Sequence, residues 1–292
     1  MDTRIIQVPY DSGHKAVRMG NGPACLVKQG LSSLPQVCVD EVEVSELPFE
    51  LGTTFQVLRS LSEKVSSVVA FNRFPLVLAG GCMSCVGTLA GLGARPPAIV
   101  WLDAHGDFNT PETTLSGFLD GMALATATGR CWQNLTSSVP GFQPVSERNV
   151  VLIGAHHLDP EEHRLLRNSD ITWIDASTIR KRGAKDALRG GLEKLRAERI
   201  YLHVDLDVLD MSEAQVNQFS STGGLTVREL LETVRTVASA RPLAAAAVTA
   251  YDPGYDADGK ALLAGCALMK ELVGLHRAAS CEAANHRQLQ SR

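Results

Sequence analysis

The chain has 292 residues, 45 % of them hydrophobic and 21 % charged, with a formal net charge of −4. This is the composition of a globular protein with enough apolar residues for a large core, and its mild acidity gives no electrostatic reason to expect nucleic acid or an anionic membrane as partner. No apolar run approaches the ~20 residues of a membrane span, residues 1–13 (MDTRIIQVPYDSG) lack the apolar core of a signal peptide, and seven scattered cysteines read as free thiols in a reducing cytoplasm.

In chain order, apolar and β-branched runs predict strands at 4–10 (RIIQVPY) and 37–44 (VCVDEVEV), followed by a helix over 53–71. Strands at 74–81, 97–104 and 149–155, a helix at 159–169 and a strand at 171–175 come next. The last third alternates a helix at 183–198, a strand at 199–208, a helix at 226–240 and a strand at 243–253. Thr226, three residues before Glu229, is the expected N-cap of the last helix. Strands alternating with helices, several strands being uniformly apolar, predict an α/β fold whose mainly parallel sheet is covered on both faces. No linker, repeat or low-complexity block divides the chain, so one domain is expected over 1–277, with a frayed tail at 278–292.

Function in such sheets gathers beyond the carboxyl ends of the strands. Beyond 97–102 stand Asp103, His105 and Asp107; beyond 199–204 stand Asp205 and Asp207, with His203 just before them. Side chains alternate faces along a strand, so each set is expected to share one side. Four carboxylates and an imidazole brought together would repel and resist desolvation unless divalent cations neutralised them. Oxygen donors with a little nitrogen suit Mn²⁺. The competing reading is that DxD pairs are solvated loop ends or caps.

The runs WLDAHGDFNTPETTLSG (101–117) and HVDLDVLD with GGLT (203–210, 223–226) resemble metal-binding motifs of the arginase, or ureohydrolase, superfamily. The likeness extends from VPYDSG (8–13) through IGAHHLDPEEH (153–163) to the final strand. The resemblance implies a three-layer α/β/α sandwich, two divalent ions, Mn²⁺ foremost, bridged by a hydroxide, hydrolysis at a guanidino or amidino carbon, and a homo-oligomer, trimer or hexamer. By position, Asp103 and Asp205 would bridge both ions; Asp107 would hold one and hydrogen-bond the nucleophile; His105 and Asp207 would hold the other. Asn109, Thr114 and Ser116 match a loop that holds an amino-acid carboxylate, and Asp159 matches the acid that contacts its α-amino group. Alternatively NTPETT is a turn and DPEE a helix start.

The chain departs from the superfamily in three places. Where most members have GGDHS, it reads GGCMSC, and Cys82 is the natural replacement ligand. That resembles the Cys-ligated subgroup that includes Nω-hydroxy-L-arginine amidinohydrolase. A thiolate would also shift metal preference towards Zn, Fe or Ni. Asp120 stands where arginases have a proton-transferring His, and could relay a proton if its pKa were raised. Ala250 stands where a Glu grips the guanidinium, with Asp252 two residues on, or Asp120, as substitutes. The expected substrate is thus Nω-hydroxy-L-arginine or a related modified guanidino amino acid rather than plain L-arginine.

Cys85 is expected to be structural, although Cys82 and Cys85 form a CxxC that a redox protein could use. Cys25, Cys38, Cys131, Cys266 and Cys281 are expected as small apolar residues. His156 and His157 are placed at the mouth of the pocket, His203 beneath the metals, and Asp11 and His14 at the end of the first strand, lining the same pocket. A catalytically inactive structural or binding subunit is the alternative function, supported by the missing His and Glu.

Overall fold

The computed structural model describes residues 2–30, 34 and 37–290, the stretch 281–290 by its backbone only. The chain opens with β1 (Thr3–Val8) and a short hairpin of β2 (Tyr10–Asp11) and β3 (His14–Lys15), then α1 (Gly22–Gly30), β4 (Cys38–Glu41) and the long α2 (Glu50–Ala70). Next come β5 (Phe74–Ala79), α3 (Ser84–Gly91), β6 (Ala98–Leu102), the short α4 (Ala123–Ala127) and α5 (Gln133–Thr136), and β7 (Val150–Ile153). The remainder is α6 (Pro160–Arg167), β8 (Thr172–Ile174), α7 (Ala176–Arg182), α8 (Ala184–Lys194), β9 (Ile200–Asp205), α9 (Val227–Ala240), β10 (Leu243–Thr249) and α10 (Lys260–Gln290).

Among the described residues, eight strands form one sheet in the order β4-β1-β5-β10-β9-β6-β7-β8, and every pairing described within it is parallel. Alternation along each strand divides the core in two. Ile99 and Trp101 of β6 pack with residues of α2 and α3, while Val100 and Leu102 pack with α8, α9 and α10 on the opposite face. This is the expected three-layer α/β/α sandwich. β5, β6 and β9 are buried at every residue because helices cover both faces. Among the described residues no helix is long and apolar enough to cross a membrane.

Several boundaries differ from expectation for physical reasons. The strand predicted at 199–208 stops at Asp205, whose side chain accepts the Asp207 N–H at 2.8 Å and turns the chain into a 3₁₀ turn over Leu206–Val208. The strand predicted at 243–253 stops at Thr249, and Ala250 takes a φ of 64°. The helix α3 is absent from the prediction because all its residues are buried, leaving no polar face to reveal a helical period. Thr226 is the N-cap as expected, and with Glu229 it forms a reciprocal capping box. The backbone over 278–290, where fraying is expected, continues α10; the Ala, Glu, Gln and Arg there favour helix intrinsically.

Candidate metal centre

The carboxyl ends of four adjacent central strands, β5, β10, β9 and β6, surround a cavity of about 240 Å³. Cys82 follows β5, Ala250 follows β10, Asp205 ends β9 with Asp207 in its turn, and Asp103, His105 and Asp107 follow β6. All seven line the cavity.

Cys82 Sγ donates to Asp205 Oδ2 at 3.0 Å. His105 Nδ1 lies 3.3 Å from both Asp103 Oδ1 and Asp207 Oδ2. Two groups of donor atoms, each within 4.8 Å of one another, result: Cys82, Asp103 and Asp205, and Asp103, His105 and Asp207. Asp103 belongs to both, so two neighbouring cation sites would share it. Asp107 stands outside both groups. Its backbone has a φ of 48°, held by Leu124 and Ala125 at the start of α4, whose N–H groups donate to its carbonyl at 2.9 and 3.1 Å. Its Oδ2 is buried with no hydrogen-bond partner among the described residues. Such an orphaned carboxylate oxygen is costly unless a cation faces it.

Electrostatics supports the same reading. Burial raises Asp103 to about 6 and pushes Asp107 and Asp205 well above the usual carboxylate range. It raises the Cys82 thiol as well, with Asp205 adding to the effect. Burial opposes charge on His105, yet Asp207 and Asp103 lift it to about 12. Asp207, also penalised by burial, is drawn down to about 2 by His105. The buried cluster therefore resists accumulating negative charge. Carboxylates, one imidazole and one thiol around a shared Asp form a donor set that fits a pair of divalent cations.

Behind these groups, His203 stacks on Trp101 with ring centroids 3.6 Å apart and hydrogen-bonds Tyr201 and Thr249. It lies beneath the cluster, and burial lowers it to about 3, so it is neutral. Thr249 passes its hydroxyl to Asp205 at 3.3 Å, orienting that carboxylate.

This chain matches the arginase family over residues 1–274. It belongs to that family. It is 30 % identical to the arginase of Bacillus caldovelox over 291 residues, covering 92 % of this chain and 97 % of the relative. With the arginase of Bacillus subtilis (strain 168) it shares 32 % over 288 residues, again 92 % and 97 %. The solved Bacillus caldovelox arginase superposes with a TM-score of 0.83 at 29 % identity, covering 94 % of this chain and 98 % of that one. Members of the family are hydrolases of amidino C–N bonds with a dinuclear metal centre, and this chain is such a hydrolase. These relatives are named plain arginases, so the Cys-ligated subgroup rests on the GGCMSC loop.

In this arginase-family chain, Asn109, Thr114, Ser116 and Asp159 all line the cavity. Asp159 is positioned as the N-cap of α6 but does not cap it; its Oδ2 accepts from Asn109 Nδ2 at 3.1 Å. Thr114 and Ser116 accept from the backbone of Gly117 and Phe118, so they do act as turn residues too. Asp120 lines the cavity, with Met83 N–H donating to Oδ1 at 2.7 Å, and burial raises it to about 7.

Other expected residues lie elsewhere. Asp252 is outside the cavity lining; its Oδ1 accepts from Gly254 N–H at 2.8 Å. The left-handed turn at Ala250 ends the strand's period of two, so i and i+2 no longer share a face. His14 is exposed and pairs with Glu46, and Asp11 is bound by Arg18. His157 lines the cavity 5.4 Å from the His105 ring, whereas His156 is tied to Gly154 and Ser221. Cys82 and Cys85 are free thiols facing different partners, Asp205 and the Ala123 carbonyl. Cys131 is buried as expected, but Cys38 is exposed and Cys25 and Cys266 are half-buried; the side chain of Cys281 lies outside the described residues.

Sequence reasoning missed Glu162, Phe118 and Phe219. Glu162 is 4 % exposed, lines the cavity and accepts Phe108 N–H at 2.8 Å. No local feature of the sequence marks it; Gly106 leaves the space it occupies, since a Cβ there would lie 2.7 Å from Glu162 Oε1. Phe118 and Phe219, 5.4 Å apart, face the cavity from separate loops.

Proposed function

We propose that this arginase-family hydrolase acts on a small guanidino amino acid modified at its terminal nitrogen, best represented by Nω-hydroxy-L-arginine, rather than on plain L-arginine. The observation that carries this reading is Ala250. It lines the cavity at the end of β10 with a methyl group where arginases present a guanidinium-gripping Glu, and Asp252 does not replace it. The loss is confined to the grip, because the carboxylate cluster is intact.

Cys82, Asp103, His105, Asp107, Asp205 and Asp207 would hold two divalent ions, of which Mn²⁺ suits the oxygen-rich set best. Such ions would lower the pKa of water and polarise the amidino group. The chain does the rest. Asn109, Thr114 and Ser116 bind the substrate carboxylate and Asp159 its α-amino group, fixing the distance from the head group to the reacting carbon. The free Oδ2 of Asp107 holds the proton of the attacking water. Asp120, protonated below about 7, donates to the leaving amine. Phe118, Phe219 and His157 narrow the mouth and exclude bulk water. The products are L-ornithine and hydroxyurea. The working form is a cytoplasmic homo-oligomer, trimer or hexamer, of one-domain chains (1–277), without nucleic-acid or membrane partners.

The test is release of hydroxyurea or urea from a panel of guanidino and formimino amino acids by Mn²⁺-loaded protein. Preference for the Nω-hydroxy compound supports the reading. Faster turnover of L-arginine, or no turnover by fully metal-loaded protein, overturns it.

A further inference from the structure

A side chamber of about 30 Å³ adjoins the main cavity, and Gly81 and Asp120 line both. It has room for one water-sized group. Ser84, the first residue of α3, lines it together with Ser12 and Glu50. Ser84 is 4 % exposed, and its Oγ has no hydrogen-bond partner among the described residues. A buried hydroxyl left unpaired is destabilising. The nearby Thr88 hydroxyl does not relieve it, because that group donates to the Ser84 carbonyl. Gly81 and the Asp120 carboxylate pack directly together between the two cavities, an approach that a Cβ at Gly81 would prevent. Asp120 is fixed from the other side by the Met83 N–H.

We infer that this chamber receives the substituent on the terminal guanidino nitrogen, one hydroxyl-sized polar group, with Ser84 Oγ as its hydrogen-bond partner and Asp120 at its threshold. The inference rests on the substrate reading above and extends it to a class: guanidines carrying a single small polar substituent. A substituent of equal size without a hydroxyl leaves Ser84 unpaired, and sites built around a buried hydrogen bond discriminate strongly against ligands that lack it.

Full-length, metal-loaded wild type, Ser84→Ala and Ser84→Val are compared on Nω-hydroxy-L-arginine and Nω-methyl-L-arginine, with inhibition constants replacing KM for any compound not turned over. Wild type prefers the hydroxy compound. Ser84→Ala lowers the hydroxy-to-methyl ratio of kcat/KM at least tenfold, mainly through KM, with metal content unchanged. Ser84→Val, which fills the chamber, weakens both compounds. An unmoved ratio in Ser84→Ala, alongside good wild-type turnover of the hydroxy compound, means that the chamber holds only water and overturns the inference alone. Wild type that hydrolyses L-arginine and neither substituted compound overturns the substrate reading as well.

Discussion

Cys82 and Asp205 are separated by 123 residues, yet the thiol of one donates to the carboxylate of the other at 3.0 Å. The contact joins the loop after β5 to the end of β9, across the strand β10 that lies between them. A metal site that uses both residues is closed by tertiary structure, and its assembly is linked to protons. Cys82, Asp205 and Asp107 are all pushed towards their protonated forms by burial, and His105 is held protonated up to about 12.

Cation binding must therefore displace protons. Titrating chelator-treated protein with Mn²⁺ in buffers of different ionisation enthalpy is expected to show at least one proton released per ion. The apparent affinity then weakens about tenfold or more for each pH unit lowered below 7. Two ions are expected to bind per chain, and Cys82→Ala is expected to weaken one of them by at least tenfold while the protein stays folded. An affinity independent of pH contradicts this account.

Ala250→Glu is expected to restore a grip on an unsubstituted guanidinium. The left-handed backbone at this position already carries a Cβ, so a longer side chain adds little backbone strain. Kinetics on both substrates should show kcat/KM for L-arginine rising at least tenfold relative to the Nω-hydroxy compound.

Asp120→Asn removes an acid while keeping an acceptor oxygen for the Met83 N–H. Loss of a general acid typically costs about 10²–10⁴-fold in rate, so kcat should fall in that range at constant metal content. Because burial raises Asp120 to about 7, the donor form is lost as pH rises through that value. The wild-type rate profile should carry a descending limb near 7 that the Asn variant lacks.

Glu162 links pH to stability. Burial raises it from 4.5 to about 7, so folding favours its protonated form. That contribution is complete below 4.5 and is lost as pH rises through about 7, at a cost of about 3 kcal/mol. Glu162→Gln keeps an acceptor for Phe108 N–H and never ionises. Thermal unfolding under chelation should show the variant gaining on wild type as pH increases from 4.5 to 8. Equal shifts in both proteins would remove Glu162 as the cause.

The donor set was legible because its signal is local. Acidic residues at the ends of wholly apolar strands are anomalous in any compact parallel sheet, and Asp103, His105, Asp205 and Asp207 do converge. Strand alternation nonetheless does not account for the detail, since Asp103, His105 and Asp107 all lie beyond β6 and Asp207 lies beyond β9. Asp207 reaches the cluster because a 3₁₀ turn re-aims it. Asp252 misses the cavity because Ala250 breaks the strand it was counted along. In the sequence Glu162 is one of several acids at a helix start, and only the packing of α6 over Gly106 reveals it as buried.

The sequence by itself determined the layered fold and the chemistry on offer, because apolar periodicity and the residue types at strand ends are properties of short segments. The tertiary structure decided which of those groups meet: the Cys82–Asp205 contact, the exclusion of Asp252, the burial of Glu162 and the chamber beside Ser84. Each depends on how distant segments approach and on where the backbone leaves the regular strand, and neither is encoded in the spacing of neighbouring residues.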